Sequence, residues 1–182
     1  MKSFITAILL ILSIPAFSGE EGKVKIGDKA LNFSLKTIQG DKVNLKELYR
    51  DRPVVLVVLR GWPGYQCPIC TRQVGGLIGE ADSFARYGAT VLFVYPGPSE
   101  KLQEHAKEFS QDFRFPENFY FTLDPSYIMV NKYGIRWDEP KETAHPSTYV
   151  IDKKGRVVFA KVSSSHGGRS TPEEIFEALE KL

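Results

Sequence analysis

Apolar and polar positions along this chain follow two periods, and the changes between them mark the elements. Leu31, Phe33 and Leu35 alternate with polar neighbours, Gln39-Gly40-Asp41 turns the chain, and Val43 and Leu45 resume, which predicts a β-hairpin. Residues 46–50 predict a short helical turn. After Pro53 the unbroken run Val54-Val55-Leu56-Val57-Val58-Leu59 predicts a buried strand. Residues 72–87 predict a helix ended by Gly88, with a kink or close packing expected at Gly75, Gly76 and Gly79. Residues 90–95 predict a second buried strand, ended by Pro96-Gly97-Pro98, and Ser99 an N-cap for a helix through 109.

Residues 119–123 predict a short strand. Asp124 as N-cap and Pro125 in the first turn then open a helix that Gly134 stops. Residues 148–151 and 156–162 predict an antiparallel pair across the turn Asp152-Lys153-Lys154-Gly155, and Thr171-Pro172-Glu173-Glu174 is a capping box opening the last helix. Strands that alternate with helices predict an α/β fold, a mixed sheet covered on both faces.

The first residues read differently. Lys2 is a short basic segment, residues 4–17 are an apolar run shorter than the roughly 20 residues of a membrane span, and Ala16-Phe17-Ser18 offers small residues for cleavage. Residues 1–18 are therefore expected to be a signal peptide, with an uncleaved anchor as the alternative. No cysteine near the cut supports a lipoprotein. Residues 19–29 are expected to be a flexible lead-in and 30–182 one domain. The implied location is exported, periplasmic or secreted, without stable membrane insertion. A net charge of +2, with no basic run and no interleaved aromatics, argues against nucleic acid as a partner.

The chemistry concentrates in Cys67-Pro68-Ile69-Cys70, the only two cysteines of 182 residues, at the joint between the first buried strand and the following helix. Helix N-terminal amides stabilise a thiolate, and a second thiol one turn in can close a disulfide on the first. Cys67 is expected to be an exposed attacking thiolate and Cys70 the more buried resolving thiol. Two other uses compete. A metal site needs further ligands, and His105, His145 and His166 lack paired spacing, so no metal or cofactor is expected. A structural disulfide closing so short a loop would restrict the unfolded chain little.

In these residues the chain resembles the thioredoxin-fold redoxin family, which holds peroxiredoxins of the alkyl hydroperoxide reductase/thiol-specific antioxidant type and exported thioredoxin-like reductases. The stretches that carry the resemblance are residues 27–35, Val57-Val58-Leu59-Arg60-Gly61 leading to the cysteines, Tyr133-Gly134-Ile135, and Pro146-Ser147-Thr148-Tyr149-Val150-Ile151-Asp152 with the turn after it. The resemblance implies a thioredoxin-like fold with an N-terminal β-hairpin, and implies that Pro146 is a cis-proline facing the cysteines and shaping a substrate groove. His145 beside it is a candidate for proton exchange. Trp62 and Tyr65 are candidates for an apolar rim, and Arg60 for stabilising the thiolate. Each of these four also has a plain structural use.

Peroxiredoxins of this family carry a threonine or serine three residues before the reactive cysteine and an arginine at the start of a later strand. Here those positions hold Gly64 and Pro146, which favours disulfide exchange over peroxide reduction. The reductases often carry an acid three residues after the second cysteine, and here that residue is Gln73, so no proton acceptor for Cys70 is evident. The leading expectation is an exported thiol–disulfide oxidoreductase acting on a protein disulfide or dithiol partner. The alternatives are a peroxidase reducing hydrogen or alkyl peroxides through a sulfenic acid on Cys67, and a non-catalytic binding module with a static disulfide. Residues 163–168, Ser-Ser-Ser-His-Gly-Gly, read as a flexible loop without chemistry.

Overall fold

A computed structural model describes residues 22–182; the signal peptide expected over 1–18 lies outside them. One seven-stranded mixed sheet runs through the domain in the order β2-β1-β5-β4-β3-β6-β7. At its centre β3 (Val54–Val58) and β4 (Thr90–Gly97) pair in parallel, and every residue of both is buried. That burial is why these strands read as unbroken apolar runs: helices cover both faces, so no alternation survives. β5 (Phe119–Pro125) continues the parallel pairing beyond β4, while β6 (Ser147–Ile151) and β7 (Val157–Val162) join antiparallel on the β3 side. The hairpin of β1 (Ser34–Thr37) and β2 (Lys42–Asn44) closes the other edge against β5. This is the thioredoxin-like arrangement with an N-terminal hairpin.

Among the described residues six helices flank the sheet. α1 (Leu45–Asp51) is capped by the Asn44 side chain, and α6 (Pro172–Leu179) opens on the Thr171–Glu174 capping box. Two cores result. One holds Val55, Val57, Leu59, Phe93, Tyr95, Ile175 and both cysteines; the other holds Leu56, Val58, Leu92, Val94, Tyr133 and Tyr149. Alternate residues of β3 and β4 feed opposite cores, as the two-residue side-chain period of a strand requires.

Several boundaries differ from the sequence reading. The helix expected over 72–87 begins earlier, at Pro68, and is split into α2 (Pro68–Gly79) and α3 (Ala81–Arg86) at Glu80, whose backbone leaves the helical region. The break follows directly on Gly79. α4 (Leu102–Ser110) starts three residues after Ser99, because Lys101 takes a left-handed conformation and Ser99 bonds the Ser126 hydroxyl instead of capping. Pro125 ends β5 rather than opening α5 (Ile128–Tyr133), yet the buried Asp124 carboxylate still receives the Met129 and Val130 amides at 2.9 and 3.0 Å.

The lead-in is also corrected where it is described. Val24 is buried, the Lys23 amide bonds the Tyr133 carbonyl, and Gly27 and Ala30 bond Val157 and Gly155 across the second hairpin. Residues 22–29 are thus docked on the domain. No helix among the described residues is long and apolar enough to cross a membrane.

Candidate active site

The site forms where β3 delivers the chain to the N-terminus of α2. Cys67 is the N-cap residue, with extended backbone, and its sulfur accepts the Cys70 amide at 3.4 Å. Pro68 occupies the first turn, where no amide hydrogen is needed. Cys70 lies one turn in. Both thiols are free, and both are buried.

Burial of Cys67, at 2 % exposure, corrects the expectation of an exposed sulfur. The cause lies in the approach loop 60–66. Trp62 donates its amide to the Pro96 carbonyl and stacks on His105 at 3.6 Å between centroids. Gln66 accepts the Tyr95 hydroxyl at 2.9 Å and donates to the His105 carbonyl at 2.9 Å. The loop is therefore pinned to β4 and α4, and Trp62 and Ile69 pack against the cluster that contains both cysteines.

The two sulfurs are electrostatically unequal. A hydrogen bond from Cys70 is the largest influence on Cys67, outweighing the opposing effect of burial; the Cys70 amide, Arg169 and Arg60 act in the same direction, bringing the Cys67 thiol down from 9.0 to about 5. Burial, and then the hydrogen bond given to Cys67, pushes Cys70 well above the ordinary thiol range. In the dithiol form Cys67 is the thiolate and Cys70 holds the proton, the division of labour that a nucleophile and its resolving partner require.

Arg60 lies beside this pair and is one of the influences that lower the pKa of the Cys67 thiol. Its guanidinium forks onto Glu142, with Nε to Oε2 at 2.5 Å and Nη2 to Oε1 at 3.0 Å, and donates to the Tyr65 hydroxyl at 2.6 Å. Burial works against its charge, but Glu142 and Tyr65 outweigh burial and hold it protonated. Tyr65, exposed at 42 %, is thus a polar partner of Arg60 more than an apolar rim. Glu142 also meets His166 Nε2 at 2.8 Å.

Pro146 sits at the start of β6, one position before the Val58↔Ser147 pairing, so it faces the end of β3 that leads to the cysteines. Its peptide bond is trans, contrary to the expected cis form. The chain around it is already held extended: the His145 amide bonds the Ile135 carbonyl and the Ser163 amide bonds the Pro146 carbonyl, both at 2.9 Å. Extended backbone is what a residue before proline favours. His145 is buried, stacked on Trp137 at 4.6 Å, with Nδ1 3.1 Å from the Ser163 carbonyl. These contacts account for its ring as a packing element.

Sequence reasoning missed Arg169. Its Nη2 lies 3.4 Å from Cys70 Sγ and 4.0 Å from Cys67 Sγ, Nη1 donates to Gln73 Oε1 at 2.5 Å, and Nε donates to the His166 carbonyl at 3.1 Å. The serine-rich loop before it is tied down: Ser163 accepts the Ser165 amide and donates to the Ser165 carbonyl at 2.9 Å, and Ser170 bonds Thr148 at 2.6 Å. Gln73 stands where the reductases of the family often carry an acid, and here it orients a cation. Among the described residues no group of three or more His, Cys, Asp or Glu side chains gathers to hold a metal ion.

Comparison with known proteins agrees with the fold. The profile described as the AhpC/TSA family matches residues 26–160. The thiol–disulfide oxidoreductase ResA of Halalkalibacterium halodurans is 24% identical, over 91% of this chain and 82% of its own. The peroxiredoxin Bcp of Escherichia coli is 28% identical, over 74% of this chain and 83% of its own. In three dimensions the chain is similar to peroxidoxin BcpB from Mycobacterium tuberculosis, with a TM-score of 0.64, 23% identity, and coverage of 86% and 95%.

Proposed function

Since this chain belongs to the AhpC/TSA family and is an oxidoreductase of thiol–disulfide or peroxiredoxin type, we propose that it is an exported thiol–disulfide oxidoreductase working through a Cys67–Cys70 disulfide. The observation that carries this reading is the inequality of two sulfurs within one turn of α2. The Cys67 thiolate attacks one sulfur of a substrate disulfide, and the other sulfur leaves as a thiolate. Cys70, once deprotonated, attacks Cys67 Sγ; the second substrate thiolate leaves, and the enzyme holds the disulfide. The substrate is reduced by two electrons and the dithiol oxidised by two. Gly64 and Pro146 in place of the peroxiredoxin threonine and arginine support disulfide exchange.

One observation favours a second reading. A sulfur only 2 % exposed, with two guanidinium groups near it, suits a small substrate such as a peroxide. There the Cys67 thiolate would attack one peroxide oxygen, the O–O bond would break with water or an alcohol leaving, and Cys70 would attack the resulting sulfenic acid sulfur, expelling water to give the same disulfide. Export rests on the apolar segment 4–17 and the small residues 16–18. The exported chain should begin at Gly19, which terminal sequencing of the secreted or periplasmic protein checks.

The test sets two oxidants against the fully reduced protein, following Trp62 and Trp137 fluorescence. Rapid oxidation by a protein disulfide, with peroxide no faster than on a free thiol and both responses lost in Cys67→Ser, is the result expected. A peroxide rate far above that of a free thiol, with slow disulfide exchange, overturns the proposal in favour of the peroxidase.

A further inference from the structure

Every dithiol cycle needs the buried thiol to lose its proton at the moment of resolution, and here Cys70 is the poorer acid of the pair, 0 % exposed. Among the described residues, the side chains around it hold no free carboxylate to take that proton. Glu142 is engaged by Arg60 and His166. Glu108 lies on the far side of Gln66, whose amide it accepts at 3.1 Å. Gln73 cannot act as a base, and the Tyr95 hydroxyl, held protonated by burial, is committed to Gln66. One charged group does reach Cys70: the Arg169 guanidinium, nearer to Cys70 Sγ (3.4 Å) than to Cys67 Sγ (4.0 Å).

We propose that Arg169 is a catalytic residue of the resolving half-reaction, a fixed cation that stabilises the Cys70 thiolate in place of a buried carboxylate base. The proposal rests on the Cys67–Cys70 exchange described above. It has a forward and a reverse use. In resolution, Cys70 Sγ must become an anion before it attacks Cys67 Sγ, and a guanidinium at hydrogen-bond range favours that form. When a donor thiolate reduces the enzyme disulfide, it forms a bond to Cys67 Sγ; the Cys67–Cys70 bond breaks and its electron pair departs on Cys70 Sγ. A better stabilised leaving thiolate leaves faster.

The aim of the guanidinium is built in at two points. Gln73, one turn beyond Cys70 on α2, takes one Nη group, and the His166 carbonyl takes Nε, which leaves the other Nη directed at the sulfurs. His166 in turn is held through Glu142 to Arg60. The two arginines therefore approach from different elements. Arg60 arrives from the end of β3 and contributes to Cys67, whereas Arg169 arrives from the loop before α6 and contacts both sulfurs.

A chromogenic aryl disulfide separates the two half-reactions, because attack by Cys67 releases one aryl thiolate and resolution by Cys70 releases the second. In the full-length wild-type protein two phases are expected. Arg169→Met should change the first phase much less than the second, since Arg169 is one of several influences on Cys67 and lies farther from that sulfur. It should slow the second phase about 10-fold at neutral pH, with its pH midpoint moved up by about one unit. Arg169→Lys, which keeps the charge, should restore most of the second phase. A second phase in Arg169→Met with the wild-type rate and pH midpoint overturns the proposal, as does an equal loss in the Met and Lys variants, which would mark a packing role. Release of a single aryl thiolate by the wild-type protein would instead overturn the exchange reading itself, and this role with it.

Discussion

Removing the Cys70 thiol should raise the pKa of Cys67, because the hydrogen bond from Cys70 is the largest influence holding Cys67 down at about 5. The backbone amide of Cys70 stays in place in any substitution, so the side-chain contribution can be isolated. Cys70→Ala deletes the donor; Cys70→Ser keeps an O–H in the same position. A charge-assisted hydrogen bond of this kind shifts a thiol by about 1 to 2 units. The expected midpoints are therefore about 5 in the wild type, within about half a unit of that in Cys70→Ser, and about 6 to 7 in Cys70→Ala. The rate at one pH is a poor measure. At pH 6 a rise of about 1.5 units cuts the thiolate fraction roughly fourfold, but the more basic thiolate is intrinsically faster by a similar factor. The assay is therefore the full pH profile of alkylation, read for its midpoint, with thiolate ultraviolet absorbance as a second readout. Equal midpoints in the Ala and Ser variants would refute the reasoning, and a wild-type midpoint near 9 would remove its premise.

Further outcomes follow from the same geometry. Between about pH 5 and 9 the unfolded Cys67 keeps its proton while the folded one has lost it, so the reduced protein should gain stability over Cys67→Ser as pH rises through that window; denaturant midpoints measured across it check the sign. Gly61→Ala should cost about 2–4 kcal/mol, because φ is +69° there and a Cβ would lie 1.9 Å from the Pro96 carbonyl oxygen; an unchanged thermal midpoint would contradict this. Asp124→Ala should cost about 1–3 kcal/mol by leaving the Met129 and Val130 amides at the start of α5 unpaired, measured by urea unfolding.

What the sequence shows of this molecule depends on how local each cause is. Val54 to Leu59 declares a buried strand because all its side chains are apolar, and Thr171-Pro172-Glu173-Glu174 declares a helix start because the cap is complete within four residues. The cysteine pair is equally local. Arg169 is not: it meets Cys70 across 99 residues of chain, and nothing in Ser163 to Gly168 signals that the loop returns to the sulfurs. Its one hint is position, a lone arginine just before the cap of the last helix. The trans Pro146 and the late start of α4 were hidden for related reasons. One sits among backbone hydrogen bonds to the distant Ile135 and Ser163, the other beside the left-handed turn at Lys101. The docking of residues 22–29 was also illegible, since it is made by backbone bonds to distant segments.

Both cysteines belong to the same apolar cluster as Val57, Leu59, Tyr95 and Ile175. The redox couple is thus written into the folding equilibrium. Whatever difference in stability separates the dithiol and disulfide forms is, by the closed cycle linking folding to oxidation, also the difference between the couple's potential in the native chain and in the unfolded one. About 1.4 kcal/mol of preference for either form corresponds to about 30 mV. A methyl group removed from Val57 or Leu59 would then move the potential, without touching either sulfur, to the extent that one form tolerates the loss better. Core packing in this domain is a voltage setting, and electrochemistry becomes a way to weigh it.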